Sequence, residues 1–168
     1  MKLKINKIPK IVSGQELHAS SDVYIWVDQL IQGKESFVRS KIIGKTKLKQ
    51  PFRVLDIYKG SPKDKPVLVL LTRQHPPEVT GYFAFQAFLS TILKENELTK
   101  SFLENYRILA FPLMNPDGVD LGHWRHNAGG VDTNRDWSFY HQPETQTTVN
   151  YITKVLNKND SKLVLGLD

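Results

Sequence analysis

The sequence predicts an α/β fold in which a mixed, largely parallel sheet carries helices on both faces. Short apolar segments with the pattern of strands alternate along the chain with segments of helical periodicity. One of them, Val67–Leu71, is apolar without interruption, as in a strand that is buried on both faces. Strands that alternate with helices form a sheet between helical layers, with ligand sites at the carboxyl ends of the strands.

The first predicted elements are a helix and a hairpin. Two serines and Asp22 precede apolar residues spaced i, i+3, i+4, i+7 and i+8, which predicts an amphipathic helix that ends near Gly33. The polar segment 44–50 can close a hairpin between two strands. The strands of this half are predicted at 37–43, 52–58 and 67–71.

The second half continues the alternation. Its predicted elements are a helix at 79–98, a strand at 106–113, a helix at 143–157 and a strand at 162–167. Asn115–Gly118 favours a turn, because proline fixes φ and the Asp-Gly pair tolerates positive φ. Pro143 suits the first turn of a helix. The segment 119–140 between them is polar and contains glycines.

The amino-acid composition limits the kinds of catalytic and metal site that the chain can form. The chain has 168 residues, of which 40% are hydrophobic and 24% are charged, as in a soluble globular domain. It has no cysteine, which excludes disulfides, a thiolate nucleophile and zinc held by cysteine. Any metal site must therefore use histidines and carboxylates.

The formal net charge of +6 is unevenly distributed. Residues 1–66 contain 14 Lys and Arg against 6 Asp and Glu, whereas residues 67–168 contain 9 against 11. The basic residues are mostly scattered lysines without interleaved aromatic residues, which favours a solvated surface over a nucleic-acid site. We expect no nucleic-acid partner.

No apolar run is long enough to span a membrane, and residues 1–11 lack the apolar core of a signal peptide. We expect no membrane partner. A mature secreted domain would begin in the same way, so the compartment stays open, with a secreted or periplasmic location slightly favoured over the cytoplasm.

Two polar clusters follow the carboxyl ends of apolar strands and can share one crevice. In the first, His75 and Glu78 are three residues apart at a strand-to-helix turn, so an imidazole nitrogen and a carboxylate oxygen can converge on one ion such as Zn²⁺. The alternative is an ordinary surface turn. The second cluster, Trp124-Arg125 together with Gly130–Trp137, combines two arginines, an asparagine and two aspartates, and can also be a loop held by Arg–Asp pairs.

Together the motifs resemble a known family. The motifs are Arg73-Gln74-His75-Pro76-Pro77-Glu78, Asn115-Pro116-Asp117-Gly118, Arg125 and Gly130-Val131-Asp132-Thr133-Asn134-Arg135. In order and spacing they resemble the amino-terminal half of the M14 zinc carboxypeptidases of the carboxypeptidase A type. The resemblance implies a three-layer sandwich that is incomplete at its C-terminal end, with residues 1–20 as an N-terminal extension and 21–168 as the amino-terminal part of the catalytic domain.

The resemblance also implies roles at a metal site. His75 and Glu78 would be the first two ligands of a Zn²⁺ cofactor, and Asp132 would orient the imidazole of His75. The metal would polarise the scissile carbonyl and activate water.

The resemblance further implies how a substrate is held. Arg125 would stabilise the oxyanion of the tetrahedral intermediate. Asn134 and Arg135 would bind the free C-terminal carboxylate of a peptide or an N-acyl amino acid.

Two residues depart from the pattern of the family. Pro77 stands where an arginine is frequent, and Asp136 stands where an asparagine is frequent. An anion beside Arg135 would weaken binding of a plain carboxylate, so we expect Asp136 to favour substrates with an amine near the terminus.

The resemblance places a third zinc ligand, a histidine, just after the strand 162–167, and a general-base glutamate later still. The sequence given ends at Asp168, so this chain alone is predicted to be inactive. The candidate substitutes for the third ligand are His123, His126 and His141.

Other functions stay open at this point. The chain can be a non-catalytic fragment or pseudoenzyme that binds zinc weakly or a peptide terminus. It can also be an amidase or deacylase of the same architecture. The sequence does not indicate an oligomeric state.

Overall fold

The computed structural model describes residues 6–9 and 11–168, which build a five-stranded sheet with helices on both sides. In chain order the elements are α1 Ser20–Ile31, β1 Val38–Lys45, β2 Pro51–Ile57, β3 Val67–Leu71, α2 Val79–Ile92, α3 Glu97–Asn105, β4 Arg107–Phe111, α4 Pro116–Asp120, a 3₁₀ helix Thr133–Ser138, α5 Pro143–Asn159 and β5 Leu163–Leu167.

The strands lie in the order β1-β2-β4-β3-β5. The pairs β1/β2 and β2/β4 are antiparallel, and the predicted hairpin joins the first of them. The pairs β4/β3 and β3/β5 are parallel. The predicted mixed α/β fold is confirmed, although parallel and antiparallel pairings are equal in number rather than mostly parallel.

Alternate residues of the strands point to opposite faces and make two cores. Leu68 and Leu70 of β3 belong to the core beneath α1, α2 and α3. Val67 and Val69 belong to the core beneath α5, which also includes Trp137. Each face of the sheet is therefore covered by helices, as the three-layer prediction requires.

The single helix predicted at 79–98 is wrong, because the structure has two helices there. Helix α2 ends at Ile92, and α3 begins at Glu97. The side chain of Asn96 accepts a hydrogen bond from the backbone N–H of Thr99 at 2.9 Å, which caps a new helix. Residues 94–97 at this break are all polar, a signal that the prediction of one helix passed over.

The predicted extension 1–20 lies partly outside the described residues. Its residue Ser20 begins α1, where its hydroxyl donates to the Asp120 carboxylate at 2.6 Å.

Among the described residues, the structure contains no helix of the length and apolarity that crossing a membrane requires.

A buried ion-pair network ties three neighbouring strands together. Asp56 of β2 is fully buried and accepts two hydrogen bonds from Arg107 of β4, at 2.7 and 2.8 Å. Lys41 of β1 donates to the same carboxylate at 2.7 Å. Burial alone would raise the pKa of Asp56, but the hydrogen bonds from Arg107 and Lys41 outweigh it and hold that pKa below its ordinary value.

Asp56→Asn removes the charge that compensates the buried Arg107. The free energy of unfolding in urea should therefore fall by about 3–5 kcal/mol at neutral pH. Because the folded-state pKa of Asp56 is lowered, its stabilisation is present above the unfolded-state pKa and is lost as the pH falls through the folded-state pKa. The difference between wild type and variant should accordingly shrink at acid pH.

Asp28→Asn is the matched control. Asp28 also contacts an arginine at 2.7 Å, that of Arg53, but its side chain is 59% exposed. Its loss should cost less than about 1 kcal/mol. Equal losses for the two variants, or a difference for Asp56→Asn that does not shrink with acid, would contradict this account.

Candidate metal centre

The candidate site lies where the three parallel strands end. Strands β3, β4 and β5 run in the same direction, so their carboxyl ends share one edge of the sheet. The first polar cluster follows β3 directly. The 3₁₀ helix is held at the same edge, because the hydroxyl of Thr133 donates to the carbonyl oxygen of Gln74 at 3.0 Å. The two clusters therefore meet, as their positions in the sequence predict.

His75 and Glu78 face each other across the turn between β3 and α2. The Nδ1 atom of His75 lies 2.7 Å from Oε1 of Glu78, and the other carboxylate oxygen accepts the backbone N–H of His75 at 3.2 Å. Pro76 and Pro77 between them restrict the backbone of this turn. The His75 side chain is only 11% exposed, whereas that of Glu78 is 50% exposed. The carboxylate therefore forms the open side of the pair.

Asp132 holds the opposite side of the imidazole. Its Oδ1 atom lies 2.9 Å from Nε2 of His75 and also accepts the backbone N–H of Asn134 at 3.0 Å. Burial alone would raise the pKa of Asp132, but hydrogen bonds from His75, Arg125 and Asn134 keep that pKa below its ordinary value. An ionised carboxylate only accepts hydrogen bonds, so Nε2 of His75 carries the hydrogen in this contact.

When the His75 ring is neutral, this contact leaves a lone pair on Nδ1 that points at the Glu78 carboxylate. Two acceptor atoms 2.7 Å apart repel each other unless a proton or a cation lies between them. Burial alone would lower the pKa of His75, but hydrogen bonds to Glu78 and Asp132 outweigh burial and raise that pKa. The pair thus attracts positive charge, and its nitrogen and oxygen atoms are donors that Zn²⁺ accepts.

Arg125 joins the site through Asp132. Its Nε atom donates to Oδ2 of Asp132 at 2.6 Å, and its side chain is 43% exposed. Neither of its Nη atoms makes a hydrogen bond within the described part of the chain. A guanidinium with free donors therefore stands beside His75 at the open face of the site.

Asn134 and Arg135 follow in the 3₁₀ helix. The backbone of Asn134 binds Asp132, as described above. Arg135 is exposed, and its guanidinium donates to the carbonyl oxygen of Asn134 at 3.3 Å. Their predicted contact with a substrate carboxylate stays a prediction.

The structure places the carboxylate of Asp136 away from the open face of the site, and its expected influence on substrate choice stays a prediction. Its side chain is buried and faces the start of α5, where it accepts the backbone N–H groups of His141 at 3.1 Å and Gln142 at 2.8 Å. The hydroxyl of Thr145 donates to it as well. Burial alone would raise the pKa of Asp136, but these hydrogen bonds lower it. Its charge is used to fix the connection between the 3₁₀ helix and α5.

The structure does not bring the other histidines to the pair. Within residues 6–9 and 11–168, no group of three or more His, Asp or Glu side chains is arranged to hold a metal ion. The ring of His123 contacts the carbonyl oxygen of His126 at 3.1 Å. The ring of His141 stacks on Phe139, with 5.5 Å between centroids.

One residue of the site was missed by sequence reasoning. Gln74 is 1% exposed and makes hydrogen bonds through both side-chain polar atoms and its carbonyl oxygen. Its only signal in the sequence is its place between an apolar strand and His75. A glutamine there does no chemistry of its own, so its partners become visible only in three dimensions.

Comparison with known proteins gives a consistent result. The model of the zinc carboxypeptidase family matches residues 23–163. Cytosolic carboxypeptidase 6 of Caenorhabditis elegans is 25% identical over 153 residues, which cover 86% of this chain and 33% of that protein. The zinc carboxypeptidase of Simulium vittatum is 26% identical over 140 residues, which cover 74% of this chain and 45% of that protein. The chain thus spans less than half the length of either relative.

Solved structures share the fold. The metallo-carboxypeptidase from Burkholderia cenocepacia superposes with a TM-score of 0.74 at 19% identity, covering 82% of this chain and 38% of that one. Carboxypeptidase A from Helicoverpa armigera superposes with a TM-score of 0.69 at 22% identity, covering 91% and 45%. Several curated relatives, that of Caenorhabditis elegans among them, are named as cytosolic, so the slight preference for a secreted or periplasmic location stays a prediction.

Proposed function

The chain belongs to the zinc carboxypeptidase family, and we propose that residues 21–168 form the amino-terminal part of a catalytic domain that hydrolyses the C-terminal bond of a peptide. Zn²⁺ is the cofactor in this proposal, with His75 and Glu78 as two of its ligands. Residues 1–20 are an N-terminal extension to that domain.

The facing pair of His75 and Glu78 is the observation that carries the proposal. Their Nδ1 and Oε1 atoms lie 2.7 Å apart, and both offer lone pairs when the His75 ring is neutral. A histidine ligand of a metal typically donates its other ring N–H to a carboxylate, which fixes the tautomer and raises the basicity of the ligand. Asp132 stands in that position at 2.9 Å. The residues present therefore suit a zinc ion.

Bound Zn²⁺ supplies two things to such a reaction, polarisation of the scissile carbonyl and a water molecule of lowered pKa. The residues of the chain supply the surroundings. Arg125 is held by Asp132 through Nε, so its Nη atoms are free to donate to an oxygen on which negative charge develops. Because Asp132 is already in place, this donor needs little rearrangement during the reaction.

Arg135 and Asn134 are the proposed binding site for the free carboxylate at the end of the substrate. A guanidinium presents a planar pair of N–H donors that matches a carboxylate. Arg135 is exposed and donates only to a backbone oxygen within the described residues, so a substrate can reach it. An N-acyl amino acid carries the same carboxylate, but the substrate class that we propose is a peptide.

The chain on its own should be a poor enzyme. Catalytic zinc sites typically have three protein ligands and a water molecule. The described residues bring two such ligands together, His75 and Glu78. We therefore expect weak zinc binding and no appreciable peptidase activity from the 168-residue chain.

Glu78→Gln keeps the shape of the side chain and removes its charge. Titration calorimetry with Zn²⁺ should show an affinity weaker than that of wild type by at least about tenfold, since even the loss of an outer hydrogen-bond partner typically costs 10–100-fold. Glu97→Gln is the matched control, because Glu97 is also exposed at the start of a helix, that of α3. Equal affinities for the two variants, or no zinc binding by wild type, would contradict the proposed site.

The carboxylate site is tested with two ligands that differ only at the terminus, N-acetyl-dialanine and its C-terminal amide. Chemical shift changes on NMR titration should show that the free acid binds more tightly. Arg135→Ala should weaken binding of the acid by about tenfold, as expected for lost hydrogen bonds to a charged group, and leave the amide unaffected. Equal binding of acid and amide would contradict the role of Arg135.

The same samples report on hydrolysis. We expect the acid to remain intact in the presence of Zn²⁺ and the 168-residue chain. Cleavage that a chelator abolishes would show that two ligands suffice and would overturn the expected inactivity.

A further inference from the structure

We infer that Gln74 is a positioning residue of the candidate metal centre, one that sets the separation between His75 and Asp132. The inference rests on the proposed function, because it concerns the same zinc site. Gln74 precedes His75 directly and is 1% exposed. Every polar atom of its side chain, and its carbonyl oxygen, is used in contacts with other parts of the site.

The side chain of Gln74 links two segments that are remote in the sequence. Its Oε1 atom accepts the indole N–H of Trp137 at 2.7 Å, and its Nε2 atom donates to Oδ2 of Asp168 at 2.5 Å. An indole N–H can only donate, so the amide oxygen must face Trp137 and the amide nitrogen must face the carboxylate. The contacts thus fix the orientation of the amide and join the 3₁₀ helix to the end of β5.

The carbonyl oxygen of Gln74 makes a second pair of contacts. It accepts the side-chain N–H of Asn115 at 3.2 Å and the hydroxyl of Thr133 at 3.0 Å. Thr133 follows Asp132 in the chain, just as His75 follows Gln74. The Thr133 contact therefore fixes the two backbones next to the His75–Asp132 hydrogen bond.

An apolar core residue at this position could not make these hydrogen bonds. An apolar side chain at position 74 would leave the partly buried indole N–H of Trp137 without its acceptor, which costs free energy. It would also remove the donor that holds the exposed carboxylate of Asp168. The 3₁₀ helix would keep the Thr133 contact and the packing of Trp137 but lose its hydrogen bond to the amide. His75 would lose the fixed separation from Asp132 that orients its ring.

Gln74→Leu tests the inference. We expect its Zn²⁺ affinity to fall about tenfold in titration calorimetry, the effect typical of residues that orient a metal ligand. In NMR spectra the indole N–H signal of Trp137, one of three tryptophans, should shift, and the Nε2–H signal of His75 should exchange with solvent faster. Trp137→Phe removes one of the same contacts and should weaken zinc binding in the same direction, but less.

Val27→Ala is the control for a purely structural effect. Val27 is fully buried in the core beneath α1, on the other face of the sheet from Trp137. A general loss of stability should leave zinc affinity close to that of wild type, because distant sites act independently. If Gln74→Leu and Val27→Ala weaken zinc binding equally, the positioning role is wrong.

Two further outcomes separate this inference from the proposed function. Wild-type zinc affinity in Gln74→Leu, together with a shifted Trp137 signal, would overturn the inference and leave the zinc site standing. If wild type binds no Zn²⁺, the proposed function fails, and solvent exchange of the His75 Nε2–H proton then decides whether Gln74 has a positioning role. Unchanged exchange of that proton in Gln74→Leu would overturn the positioning role as well.

Discussion

The carboxylate of Asp132 is the interaction on which the candidate site depends. It accepts hydrogen bonds from the imidazole of His75, the guanidinium of Arg125 and the backbone N–H of Asn134. These three donors keep it ionised, and an ionised carboxylate can only accept, so it determines which nitrogen of His75 carries the hydrogen. In the neutral ring, the lone pair that faces Glu78 is a consequence of that contact. Remove the carboxylate, and both the imidazole and the guanidinium lose their orientation.

The two halves of the sheet serve this site in different ways. In the antiparallel half, the buried Asp56 ties β1, β2 and β4 together through Lys41 and Arg107. In the parallel half, β3, β4 and β5 end at one edge and present the polar residues that follow them. Stability and chemistry are thus supplied by different strands, with β4 shared between them. Gln74 and Thr133 connect the strand ends to the 3₁₀ helix that carries Asp132.

Much of this arrangement was predictable from the sequence, because it depends on local patterns. Apolar runs and helical spacing located the strands and helices, and the family match confirms the resemblance drawn from the motifs. The break between α2 and α3 has a local signal, the polar residues 94–97, in which Asn96 caps the second helix, but the prediction of one long helix passed over it. The burial of Asp136 and the role of Gln74 were missed for another reason. The side-chain and carbonyl partners of Gln74 lie 41 to 94 residues away, and no local pattern records such contacts.

Anomalous diffraction at the zinc absorption edge, from crystals of the zinc-loaded chain, tests the central claim most directly. We expect one zinc peak bonded to Nδ1 of His75 and to the Glu78 carboxylate, with Nε2 of His75 still in contact with Asp132. A peak at His123 or His126 would contradict it. So would a zinc ion bound to Nε2 of His75 in place of the Asp132 carboxylate.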